Sequence, residues 1–238
     1  MAKIAHKLTP AAAHRIRKLA AQTKPSDNQR RRDLNAFELL LAQLYEHKKA
    51  LKQIQSMELK GKKKAEFLPD YMPYVNGVIE ADHGETDEII STMMIWAIDA
   101  GDINTALRIG AYVMIHKLPL PDHFGRTTAT GLAEEIADRY LKDNSSVTPE
   151  QLGTLLELVE PDDMPDQVRS KLHKALGLAL IDTDPETALA MLKSATRFND
   201  RAGVKKQVMA LEKQLAEALN GAETTTEQSS ADAESADA

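Results

Sequence analysis

The chain contains no cysteine among its 238 residues. This absence excludes disulfide bonds, thiolate metal sites and thiol nucleophiles together, and it is compatible with a reducing compartment. At this length the chain can bury one sizeable core or two small ones, because single domains usually contain about 100 to 200 residues. We therefore expect one compact unit with extensions at its ends.

Long hydrophobic runs are also absent. The longest stretch without a charged residue is Ile89 to Ile98, whereas a membrane-spanning helix needs roughly 18 to 20 apolar residues. The N-terminus lacks the apolar run that begins a secretory signal peptide. We therefore expect an intracellular protein with no membrane partner.

Several motifs of catalysis are missing as well. The sequence has no Gly-x-x-x-x-Gly-Lys-Ser/Thr phosphate loop, so we do not expect a motor ATPase, and it has no Gly-x-Ser-x-Gly nucleophile elbow. Its seven histidines are scattered, and none forms the His-Glu-x-x-His pair of a zinc site. We expect neither a metal site nor a cofactor.

A metal-dependent nuclease gathers two or three carboxylates around Mg²⁺. The common pattern of Pro-Asp followed by Asp/Glu-x-Lys is not satisfied, because both Glu-x-Lys triplets precede every Pro-Asp. The loop predicted from Leu118 to Thr130 contains the remaining catalytic candidates, Asp122 and His123, with Arg126 beside them. Mg²⁺ would be needed only if the chain were a nuclease.

Charge is divided unevenly along the chain. Residues 1–66 contain 16 Lys and Arg against 6 Asp and Glu, and the other 172 residues contain 14 against 30. Such asymmetry indicates a segment that binds a polyanion and a body that repels one. A solvated basic helix without a partner is the alternative that the composition leaves open.

The pattern of apolar residues predicts an all-α fold, with a first helix that begins at Thr9-Pro10 and a second that runs from about Arg31 to Glu66. Spacings of three and four along the second helix resemble a coiled-coil seam, which indicates self-association or, equally, packing on the chain's own body. The seam residues are Leu34, Phe37, Leu41, Leu44 and Leu51.

The basic residues of these two helices are the candidates for binding DNA, because they can neutralise phosphates and release counterions. The two helices and their linker have the outline of a helix-turn-helix, although the linker is long. A lysine cluster at the predicted end of the second helix has an alternative explanation, since cations are favoured at helix C-termini. The candidates are Arg15, Arg17, Lys18, Arg30, Arg31, Arg32, Lys60, Lys62, Lys63 and Lys64.

The remaining chain predicts a body of antiparallel helix pairs that resembles tetratricopeptide proteins. After a packed junction from Phe67 to Gly77, we expect helices over 87–100, 102–117, 128–142, 149–159, 165–180, 185–198 and 202–219. The acidic residues after Asn220 predict a disordered tail. The predicted divisions are a DNA-binding arm (1–32), an oligomerisation helix (33–66), a helical body (67–220) and the tail (221–238).

Four separated segments resemble the GpM family of phage small terminase subunits. They are Lys52 to Val78, which includes Pro73-Tyr74-Val75-Asn76-Gly77, then Met94 to Asp102, Asp163 to Lys174, and Ala202 to Lys206. The resemblance implies a homo-oligomeric partner of the large terminase ATPase subunit that recognises a cohesive-end site in double-stranded phage DNA, in the host bacterial cytoplasm. It also implies a family described as the terminase endonuclease subunit, although the motifs of a self-contained nuclease centre are not found.

Three functions follow as hypotheses. The first is a subunit that recognises viral DNA and, with the large subunit, directs its cutting and packaging into the capsid. The second is a metal-dependent endonuclease that itself cuts the cohesive-end site. The third is a helical-repeat adaptor that binds protein and has no contact with DNA.

Overall fold

The computed structural model describes residues 27–85, 87–118 and 125–218, with backbone alone for residues 27–35. These residues form nine α-helices and no strand, which confirms the predicted all-α class. The helices are α1 (Asp27–Gln53), α2 (Met57–Ala81), α3 (Glu88–Ala100), α4 (Ile103–Ile115), α5 (Thr128–Lys142), α6 (Pro149–Val159), α7 (Asp166–Ala179), α8 (Pro185–Phe198) and α9 (residues 205–218).

The caps of the body helices explain why their bounds follow from the sequence. Thr148 accepts a hydrogen bond from the backbone N–H of Gln151, whose side chain accepts one in return from Thr148, so α6 begins with a capping box. Asp184 accepts from Thr187 at the start of α8, and α3 ends at Gly101 in the left-handed conformation. The N-cap of α3 is Asp87, so this helix begins one residue later than the predicted start at residue 87.

The prediction of one long second helix from Arg31 to Glu66 is wrong. The chain leaves the helix at residues 54–56, and Ser56 then caps a new helix by accepting a hydrogen bond from Leu59 N–H at 3.3 Å. This helix, α2, continues through Pro69 and Pro73. It thus includes the segment that we predicted as a junction, and it crosses the predicted domain boundary at residue 66.

Aromatic and polar contacts fold α1 back along α2 as an antiparallel hairpin. The ring of His47 stacks on Phe67 with centroids 3.6 Å apart, and the Gln43 amide donates to Asp70 at 2.8 Å. Because residues later in α1 meet residues earlier in α2, the two helices run in opposite directions. The three-residue turn at 54–56 is therefore the tip of this hairpin.

The other face of α2 packs on α3. The ring of Tyr71 meets Trp96 edge-on at 6.1 Å, and Tyr74 donates a hydrogen bond to the buried Asp87. Gly61 allows this close approach, since a Cβ there would lie 2.7 Å from the carbonyl oxygen of Asp99.

The seam residues lie mostly in the chain's own core. Phe37, Leu44 and Leu51 are buried, and Leu41 is partly buried against the same cluster. Burial therefore favours the alternative in which this seam packs within one chain, while the side chain of Leu34 lies outside the described residues. Oligomerisation through the seam stays a prediction that these contacts do not test.

One large core joins α1 to α7, and a smaller cluster joins α8 to α9. The α7–α8 pair is held closely, because the Ser170 hydroxyl donates to the Ala195 carbonyl at 2.8 Å. Among the described residues, no helix is both long and apolar enough to cross a membrane. The helix predicted at Thr9-Pro10 and the tail after Asn220 lie outside the described residues.

Candidate nucleic-acid interface

The hairpin tip concentrates lysines from two helices. Between residues 48 and 64 the chain contains seven lysines and one glutamate. Three of the lysines end α1 and four belong to the first turns of α2. We call this set the hairpin-tip patch, and its members are Lys48, Lys49, Lys52, Lys60, Lys62, Lys63 and Lys64.

The helix break reverses the electrostatic explanation of the α2 lysines. We expected them at a helix C-terminus, where the macrodipole favours cations, but they lie near the N-terminus of α2. The dipole disfavours positive charge in the first turn of a helix and has little effect beyond it, so it favours none of these four lysines. The helix itself therefore does not account for these lysines.

Most of the patch is paired with carboxylates, in ion pairs of two kinds. Lys62 bonds Glu58 at 2.6 Å, where both side chains are well exposed. Such surface pairs contribute little to stability because solvent screens them, so a phosphate can replace the carboxylate at little cost. Lys64 differs, because its side chain is only 15% exposed and it binds Asp99 near the end of α3. We conclude that Lys64 holds α2 against α3, and its contact with DNA stays a prediction.

Three lysines at this end of the molecule have no ion pair within the described part of the chain: Lys52, Lys60 and Lys142. Lys142, the last residue of α5, adds a cation beside the hairpin-tip patch from another helix. The pKa of Glu58 is lowered, chiefly by the hydrogen bond from Lys62 and in part by the charge of Lys142. The tip therefore retains free cations after its internal ion pairs are formed.

The predicted arginines lie elsewhere. Arg30, Arg31 and Arg32 are in the first turns of α1, with side chains outside the described residues. At 1.5 Å per residue, Arg31 and Lys52 are about 30 Å apart along α1, so the two groups form separate contacts. Arg15, Arg17 and Lys18 lie outside the described residues.

The catalytic candidates Asp122 and His123 also lie outside the described residues. Arg126, which follows them in the sequence, binds Glu134 at 2.5 Å and Glu135 at 3.4 Å, which gives these carboxylates a structural role. Throughout residues 27–85, 87–118 and 125–218, no group of three or more His, Asp or Glu side chains could hold a metal ion.

Sequence reasoning missed three members of the patch: Lys48, Lys49 and Lys52. On one continuous helix they would lie two to four turns before the cluster at 60–64, so no spacing rule joined them to it. The signal was present in Gln55-Ser56, a polar pair whose serine is a good N-cap.

A second surface feature is an open groove of about 430 Å³ along α2. It is mostly apolar and includes Ala65, Pro69 and Pro73, and among the described residues that line it Asp102 is the one titratable side chain. Within this described lining no second acid or base stands beside that carboxylate to form a general acid–base pair.

The comparisons with known protein sequences find phage terminase subunits. A family model described as phage small terminase subunit matches residues 41–167, which include the whole hairpin-tip patch. The chain is also similar to a protein of Escherichia phage P2 named "Terminase, endonuclease subunit", with 40% identity over 211 residues, 87% of this chain and 85% of that protein. No solved structure matches the chain.

Proposed function

Because the chain belongs to the phage small terminase subunit family, whose role is phage DNA packaging, we propose that it is the subunit that binds the viral DNA. With the large ATPase subunit it directs cutting at a cohesive-end site and packaging into the capsid. This work takes place in the host bacterial cytoplasm, and the chain acts as a homo-oligomer.

The observation that carries the proposal is the hairpin-tip patch. Its lysines converge from two helices of an otherwise acidic body, and most of their ion pairs are of the weak surface kind. Each lysine that neutralises a phosphate releases condensed counterions, which favours binding without reading sequence. The predicted basic arm, which includes Arg15, Arg17 and Lys18, adds contacts of the same kind.

Fluorescence anisotropy with a labelled cohesive-end duplex tests the proposal across a range of salt concentrations. We expect the triple variant Lys52→Gln, Lys60→Gln and Lys62→Gln to weaken binding. The slope of log Kd against log salt should fall by about 0.9 for each phosphate that the variant no longer neutralises.

A matched control removes three exposed lysines from α9: Lys205, Lys206 and Lys213. We expect this control to bind as the unchanged chain does. Equal salt slopes for the two triple variants would contradict the assignment to the tip. Absence of any DNA binding by the unchanged chain at low salt would contradict the function, and would favour the protein-binding adaptor instead.

A second candidate function follows from the name of the phage P2 relative, which describes an endonuclease. In that case the chain cuts DNA itself with the help of Mg²⁺, and Asp122 and His123 are its catalytic candidates. Purified protein with Mg²⁺ and the cohesive-end duplex then gives discrete fragments, which Asp122→Asn abolishes. Uncut DNA under these conditions contradicts a self-contained nuclease.

A further inference from the structure

The hairpin tip exposes two large apolar side chains among its lysines. Met57 is 68% exposed and Leu59 is 55% exposed, and both lie in the first turn of α2. Between Lys52 and Leu59 every residue except Ile54 is exposed. The tip therefore stands clear of the body.

Folding does not account for this exposure. The same hairpin buries Leu51 and Leu68 in the core, so apolar residues that the fold needs are already covered. Exposed apolar side chains are ordinary when single. Here two belong to the first turn of α2, where side chains tilt toward the helix N-terminus and so toward the turn of the hairpin, among exposed lysines. Such an arrangement fits a ligand that is anionic outside and apolar inside.

Duplex DNA has this construction, with phosphates outside and stacked bases within. Proteins that bend DNA from the minor groove insert Met, Leu or similar side chains between base pairs, while nearby cations hold the phosphates. The one carboxylate at the tip, Glu58, does not oppose this contact strongly, because Lys62 binds it at 2.6 Å.

We propose that Met57 and Leu59 insert as a wedge between base pairs of the duplex that the surrounding lysines hold, and so bend the DNA. The proposal rests on the proposed function, since it requires that the tip binds DNA. In this proposal the lysines provide the affinity for DNA, and Met57 and Leu59 bend the duplex. A protein partner is less favoured, because a purely apolar contact would leave the unpaired Lys52 and Lys60 without counter-charges.

Energy transfer between dyes at the two ends of a short cohesive-end duplex measures the bend. We expect the full chain to bring the ends together, as a kink of about 20–90° does. The double variant Met57→Ala and Leu59→Ala should abolish this change while keeping the salt slope of binding, because all lysines remain. A matched control, Leu39→Ala and Met209→Ala, removes two equally exposed side chains at 71% and 70% and should bend DNA normally.

The outcomes separate this proposal from the proposed function. If the full chain binds the duplex without bending it, or if the double variant bends it fully, the wedge is wrong and DNA binding stands. If the double variant fails only to capture purified large subunit, the tip is a protein-docking surface and the wedge is also wrong. If no form binds DNA, both proposals fail together.

Discussion

Two prolines in the interior of α2 should cost the protein stability that alanine would restore. Pro69 and Pro73 lie four residues apart within the helix Met57–Ala81. Since proline has no N–H, the carbonyls of Ala65 and Pro69 receive no i→i−4 hydrogen bond. Both prolines are exposed and line the open groove, so their replacement leaves the core packing intact.

The size of the effect follows from helix propensity. Proline in a helix interior is about 3 kcal/mol less favourable than alanine. We expect Pro69→Ala or Pro73→Ala alone to raise the free energy of unfolding by about 2–3 kcal/mol, where the lower bound allows for strain that the helix has already relaxed. For a chain of this size this corresponds to a rise in Tm of roughly 5–10 °C. The two gains will not add fully, since the residues are neighbours one turn apart.

Circular dichroism at the helical band, followed through thermal and urea unfolding, provides the measurement. Pro149→Ala is the matched control, because Pro149 occupies the first turn of α6, where the missing N–H would have no helical partner. If the α2 variants are no more stable than this control, the prolines do not interrupt a regular helix and the reasoning fails.

Two further predictions concern the α7–α8 pair. Gly177→Ala should lower the free energy of unfolding by about 1–3 kcal/mol, because the added Cβ would lie 2.8 Å from two carbons of Leu192. The control is Gly153→Ala in α6, where the added Cβ meets no atom within 4 Å. Urea unfolding should show this control to be slightly more stable than the unchanged chain. The pKa of His173 is lowered from 6.5, chiefly by burial and also by two neighbouring arginines, so stability should fall as the pH drops below about 6.5 and level off below the folded-state pKa. His173→Gln should reduce that fall, measured as urea midpoints from pH 7.5 to 5. An identical fall in the variant and in the unchanged chain would contradict this prediction.

The helices of the body could be predicted because their signals are local. A capping side chain followed by proline, as at Thr148 and Asp184, fixes a helix start whatever the rest of the chain does. The bounds of α5, α6 and α8 agree with the prediction to the residue. For these three helices the local hydrogen bonds at the helix ends were sufficient to predict where each helix begins and ends.

The α1–α2 hairpin could not be predicted in the same way, because distant contacts decide it. Spacings of three and four run through Leu44 and Leu51 into the turn, so periodicity alone favours one long helix. What turns the chain back is the packing of His47 on Phe67 and of α1 on the large core. The prolines of α2 caused the opposite error, because proline usually ends a helix and the prediction stopped this one at Glu66. Pro69 and Pro73 instead lie inside α2 on an exposed face, which tolerates the proline ring where a buried face would not.

The position of the candidate site depends on that same break. On one continuous helix Lys48 and Lys64 would lie about 24 Å apart along the helix axis, at 1.5 Å per residue. No helix would then begin between the two groups of lysines. The turn at 54–56 instead brings the end of α1 beside the start of α2, with Met57 and Leu59 between the two sets of cations. The patch is therefore a product of tertiary structure, because the fold that stacks His47 on Phe67 is also what gathers the lysines at one exposed end.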